Sequence, residues 1–135
     1  MCTRNLSRAQ YAAAADEGKV ETLYGRVRWL PELKARNYAV RENAKRMAIN
    51  ARIQGTAADL LKLAMIGVDR RLRAEHPDAA LLLTVHDELV LEVPEAEAGA
   101  AGELVRAEMT GIAELAVPLV VDVGSGPTWY ESKVG

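Results

Sequence analysis

Between Ala39 and Leu72 the apolar residues return every three or four positions, and no other stretch constrains the fold of this chain as strongly. Val40, Ala44, Met47, Ala48 and Ala51 lie along one stripe, and Ala57, Leu60, Leu61, Ala64, Met65, Val68 and Leu72 along a second. That spacing turns one face of an α-helix toward a core and leaves the other in water. Gly55 and the Thr56-x-x-Asp59 capping pattern mark a joint between the stripes, and His76-Pro77 ends the second. Two helices, or one kinked helix, are expected.

The flanking segments have other periods. Residues 5–18 are Ala-rich and helix-compatible, with Gly18 as a stop. Val20 to Leu30 carries β-branched and aromatic residues around Gly25, which predicts a short hairpin or extended loop closed by Pro31. Leu81 to Val85 and Leu89 to Val93 are short Leu/Val runs separated by His86, Asp87 and Glu88, a β-hairpin with a polar tip. Pro94, with Glu95 and Glu97 behind it, opens a further helix whose apolar face is Leu104, Val105, Met109, Ile112 and Ala113. Val117 to Val123 reads as a strand before the turn Gly124-Ser125-Gly126-Pro127. The sum is α+β, an antiparallel sheet with a β-hairpin packed against helices. With 135 residues, half of them apolar, a single domain spanning residues 1–135 is expected.

No apolar run approaches the ~20 residues of a membrane helix, so a soluble protein with no membrane partner is expected. Cys2 is the one cysteine and no charged-then-apolar leader follows Met1, so neither a disulfide framework nor secretion is supported and the cytoplasm is the expected location. Six aromatic residues, four Tyr and two Trp, are too few for a stacking platform of single-strand binders. The net charge of −2 hides a division: residues 26–73 hold twelve basic and four acidic side chains, net +8, whereas residues 74–135 hold two basic and twelve acidic, net −10. A polyanion facing the middle segment would account for this, as would a helical surface kept wet by Arg and Glu.

The candidate chemistry follows from a few side chains. Asp87 and Glu88 sit at the hairpin tip, rigid beneath and open above, where carboxylates suit a hard ion such as magnesium; aspartate is equally a favoured turn residue. Arg46, Asn50 and Gln54 are spaced by four, a row of donors about 12 Å long on one helical face. The minor groove offers acceptors at every correct base pair, so such a row senses pairing while ignoring most sequence information, although a solvated face carries similar rows. In the extended segment Tyr24 to Trp29, Arg26 and Arg28 point the same way and present planar forks to phosphate. His86 is a donor for a phosphate or a primer-end base, or a structural histidine. His76 and His86 support no Ser/His/Asp set, and there is no P-loop, CxxC or HExxH.

In order along the chain, Glu21-Thr22-Leu23-Tyr24-Gly25-Arg26-Val27-Arg28-Trp29-Leu30-Pro31, Arg46-Met47-Ala48-Ile49-Asn50, Ile53-Gln54-Gly55-Thr56-Ala57-Ala58-Asp59, Val85-His86-Asp87-Glu88-Leu89-Val90 and Val117-Pro118-Leu119 resemble family A DNA polymerases of the bacterial DNA polymerase I type. The resemblance covers residues 18–133 and implies the carboxy-terminal part of a polymerase palm. Val-His-Asp-Glu is similar to motif C, which implies that Asp87 binds catalytic Mg2+ with Glu88 as helper and that His86 meets the primer end. Arg46, Asn50 and Gln54 match positions that touch the nascent duplex, and Arg26 and Arg28 match a basic segment near its backbone. The chain departs from the family at Val27, Arg52, Thr84 and Thr128, none of them a metal ligand.

The resemblance also implies what a complete site requires. Two-metal nucleotidyl transfer needs a second carboxylate facing the first and cations on the triphosphate. In the family these belong to motif A and the fingers, which nothing in this chain matches, nor is a thumb matched. The expectation is a DNA polymerase fragment, inactive alone. It would bind template-primer duplex and deoxynucleoside triphosphates, in replication or repair, with a complementary chain that supplies motif A and fingers. The alternative is a non-catalytic remnant or a duplex-DNA-binding accessory.

Overall fold

The computed structural model describes residues 8–114 and 118–133, and Cys2 and Val117 fall outside them. The chain divides into two compact units, residues 1–59 and 60–135.

In the first unit, helix α1 (Arg8–Glu17) ends at Gly18, whose φ of 68° and N–H donated to the Ala14 carbonyl form a left-handed C-terminal cap. Strand β1 (Lys19–Glu21) pairs antiparallel with β2 (Val27–Trp29), with Val20 opposite Arg28. A single turn of 3-10 helix, Pro31–Lys34, then buries Leu33. The core is Val20, Leu30, Leu33, Ala44 and Ala48. Helix α2 (Tyr38–Glu75) starts where the Asn37 side chain accepts the N–H groups of Ala39 and Val40, a local cap that asparagine supplies well.

Helix α2 runs for 38 residues without a break, about 57 Å at 1.5 Å per residue. Of the two expected arrangements, two separate helices are ruled out, because the helix carries through Gly55. Thr56 Oγ1 donates back to the Arg52 carbonyl at 2.6 Å, and Asp59 bonds to groups outside the helix. Thr56 Oγ1 thus back-bonds within its own helix while accepting the Leu23 N–H, Asp59 is used in tertiary contacts, and the helix runs on.

In the second unit, the carboxy-terminal turns of α2 contribute Val68 and Leu72, which pack with Ala79, Ala101, Leu104 and Val105. Leu72 is fully buried, and a buried leucine side chain contributes about 1.5–3 kcal/mol. Strands β3 (Ala80–Val85) and β4 (Glu88–Glu92) form an antiparallel ribbon, with Leu81, Leu89 and Leu91 packed on this core. An irregularity between Leu81 and Leu83 shifts the register and leaves Leu82 and Leu83 exposed. The architecture is α+β as expected, with its strands in two separate ribbons among the described residues.

Beyond Pro94 the expected helix begins later, because Glu95–Glu97 form a 3-10 turn and helix α3 spans Ala98–Thr110. Leu104 and Val105 are buried and Met109 partly so, while Ile112 and Ala113 lie past the end of the helix at Gly111. The strand expected at 117–123 does not form over 118–123. There the Val121 carbonyl accepts from Arg106 Nε at 3.4 Å, a side-chain contact where a ladder bond was expected. A short helix α4 (Trp129–Ser132) is capped by the Thr128 hydroxyl, which accepts the Glu131 N–H.

Candidate metal and nucleic-acid site

The hairpin tip is built by register. Val85 stands opposite Glu88, so the connection between β3 and β4 is the two-residue turn His86-Asp87. Two-residue hairpin turns need a positive φ, usually from glycine or asparagine. His86 takes that role with φ 55°, the one non-glycine residue with positive φ among the described residues. A non-glycine side chain there costs about 1–2 kcal/mol, which the Leu-lined ribbon beneath must offset.

The side chains of His86 and Asp87 are exposed and have no hydrogen-bond or ion-pair partner among the described residues. Glu88 is exposed but engaged, with Lys133 Nζ 3.1 Å from its Oε1. Lys133 also lies 4.6 Å from the centroid of the Trp129 ring, and Thr84 Oγ1 donates to the Glu88 carbonyl at 3.0 Å. Carboxylate oxygens at an open tip have the donor chemistry of a magnesium site. No group of three or more His, Cys, Asp or Glu side chains placed to hold a metal occurs among the described residues.

The donor row lies in the first unit, on the amino-terminal half of α2. Arg46, Asn50 and Gln54 are all exposed, and none of their side chains has a partner among the described residues. Opposite them Ala44 and Ala48 are buried, so the row is the solvent side of an amphipathic helix anchored in the core. Gln54, Arg28 and Arg26 line one cleft of about 250 Å³, together with Thr22, Gly55 and Ala58.

Arg26 and Arg28 differ in their surroundings. Arg28 is in β2, exposed and without a partner among the described residues. Arg26 belongs to the loop before that strand and is bonded on two sides: Nε donates to Asp59 Oδ1 at 2.7 Å and Nη2 to the Gly55 carbonyl at 3.2 Å. Asp59 Oδ2 accepts the Thr22 hydroxyl at 2.6 Å. Sequence reading missed both this network and the Lys133–Glu88 pair. Thr22 and Asp59 are 37 positions apart, and neither has a local pattern that announces its partner.

Residues 3–131 match the family model DNA polymerase family A, and the chain belongs to that family. It is 53% identical over 116 residues to the thermostable DNA polymerase I of Thermus aquaticus, covering 86% of this chain and 14% of that protein. It is 51% identical over 121 residues to DNA polymerase I of Pseudomonas aeruginosa, covering 90% and 13%. The fold is similar to the POL domain of Pol1 from M. smegmatis, solved in complex with DNA primer-template and dNTP. That match has a TM-score of 0.86 and 45% identity, covering 93% of this chain and 22% of that one. The chain thus spans about one-seventh of the length of the curated relatives it matches. No helix among the described residues is long and apolar enough to cross a membrane.

Proposed function

We propose that the chain is the motif C part of a DNA polymerase palm, which binds template-primer duplex and contributes Asp87 to nucleotidyl transfer onto a primer 3′ hydroxyl. The observation that carries this reading is the Asp87 carboxylate, open and unpartnered among the described residues at the end of a ribbon packed on an apolar core. Membership of the polymerase family supports it. So does the DNA and dNTP complex of the M. smegmatis domain.

Magnesium, when bound, lowers the proton affinity of the primer hydroxyl and neutralises charge on the triphosphate. Asp87 would hold it, with Glu88 beside it, and a complementary chain carrying motif A and fingers would supply the remaining ligands. His86 offers ring donors at the primer end. Arg46, Asn50 and Gln54 present hydrogen-bond donors to minor-groove acceptors, which are common to all correct pairs, so the duplex is held without regard to sequence. Arg28 offers a guanidinium fork to backbone phosphate. Such an activity belongs to DNA replication or repair in the cytoplasm.

A second reading is a non-catalytic duplex-binding remnant, favoured by the net charge of +8 over residues 26–73. Mixing the chain with a complementary polymerase fragment, template-primer, nucleotides and magnesium separates the two. Primer extension supports the first reading, and salt-dependent duplex binding without extension supports the second.

A further inference from the structure

The loop between β1 and β2 is bonded at each of its backbone donors from Leu23 to Arg26. Leu23 N–H goes to Thr56 Oγ1 at 3.1 Å, and Gly25 N–H to the Thr22 carbonyl at 3.0 Å. Tyr24 and Arg26 N–H groups both go to Thr22 Oγ1, at 3.3 and 3.2 Å. Thr22 Oγ1 donates its own hydrogen bond to Oδ2 of Asp59, whose side chain is only 11% exposed. A carboxylate so far removed from water must be compensated, and here the Thr22 hydroxyl and the Arg26 guanidinium do it. Gly55 lets the two elements meet, because a Cβ there would stand 2.7 Å from Thr22 Cγ2.

We infer that Thr22, Arg26 and Asp59 form a clasp that fixes the β1–β2 loop on the α2 turn carrying Gln54, so that Arg26 and Asp59 are positioning residues and Arg28 is the phosphate ligand. This deepens the duplex-binding reading and rests on it. Arg26 spends its Nε and one terminal nitrogen on Asp59 and Gly55, in a geometry that needs a planar fork. Arg28, two residues on, lines the same cleft as Gln54 and Arg26 but, unlike Arg26, keeps its donors free among the described residues. The clasp therefore sets how the strand bearing Arg28 and the turn bearing Gln54 face a common ligand.

Two measurements on the full chain test this: duplex DNA binding by fluorescence anisotropy across a salt series, and amide hydrogen exchange. Arg28→Gln is expected to reduce the slope of log affinity against log salt by about one, the loss of one phosphate contact. Arg26→Lys and Arg26→Gln are expected to behave alike. Both weaken binding equally, because a lysine ammonium cannot replace the fork, and both speed exchange at the Leu23 and Arg26 amides by about tenfold. Asp59→Asn is expected to raise the same exchange rates. The inference is overturned if Arg26→Lys restores the affinity and slope that Arg26→Gln loses while loop exchange stays as in the wild type. If wild-type chain binds no duplex, the proposed function fails, and the exchange rates alone still decide whether the clasp exists.

Discussion

Lys133 Nζ lies 3.1 Å from Glu88 Oε1, so a cation just past helix α4 neutralises one of the two carboxylates at the hairpin tip. Asp87, one residue earlier, has no such partner among the described residues. Adjacent acidic residues are thereby made unequal, one held by a cation and one open to a ligand.

Removing that cation makes the tip more negative. Lys133→Met is therefore expected to strengthen divalent binding by the intact chain, read as a lower Kd for Mn2+ in a magnetic-resonance titration. Both side chains are about half exposed, so thermal stability should fall by no more than about 1 kcal/mol. Unchanged or weaker Mn2+ binding would show that Lys133 does not act on the site.

Replacing a mid-helix glycine by alanine ordinarily stabilises a helix by about 1 kcal/mol. At Gly55 the added methyl would meet Thr22 Cγ2 at 2.7 Å, and Thr22 is held in place by Asp59. Overpacking costs about 1–3 kcal/mol, which outweighs the propensity gain. Gly55→Ala is expected to lower the Tm, and a rise would mean the loop yields freely.

His86 carries a backbone conformation that glycine adopts without strain. His86→Gly should leave the chain as stable or up to about 1 kcal/mol more stable in urea unfolding, while weakening primer extension by the complemented enzyme. A stability loss beyond 1 kcal/mol, a threshold set by the αL strain scale of about 1–2 kcal/mol, would assign His86 a structural role.

Arg71 grips Glu75 with two hydrogen bonds, Nε to Oε1 at 2.8 Å and Nη2 to Oε2 at 3.1 Å. The Arg71 hydrogen bond, opposed by desolvation and aided by the charges of Arg71 and His76, holds the Glu75 carboxyl below the usual glutamate range. A folded value below the unfolded one means that the contribution is complete above the usual range and is lost as pH falls through the depressed value. Arg71→Met should thus flatten the fall of Tm below about pH 5. A profile parallel to wild type would show that the pair contributes nothing to acid stability.

The apolar periods made α2, the β3–β4 ribbon and the Leu104–Val105 face legible, because burial imposes spacing on sequence. The failures have one cause. Thr56 and Asp59 read as a local cap, but tertiary hydrogen bonds to Leu23, Thr22 and Arg26 took their side chains. Residues 118–123 look like a strand by composition, yet a strand needs a partner, and none pairs with them among the described residues. The polar tip was legible as the break between two Leu/Val runs, although Glu88, read there as part of the tip, is the first residue of β4 and leaves a two-residue turn at His86-Asp87. The Lys133–Glu88 pair was not, since 45 positions separate the two residues and no local period joins them.

Primer extension by the chain reconstituted with a complementary polymerase fragment, comparing wild type with Asp87→Asn, is the most direct measurement. The substitution keeps the size of the side chain while removing the charge on which a hard cation depends. Extension by wild type that drops by at least about a thousandfold in Asp87→Asn, with duplex affinity preserved, is the predicted result. Equal extension by the two proteins would contradict a metal-binding role for this carboxylate.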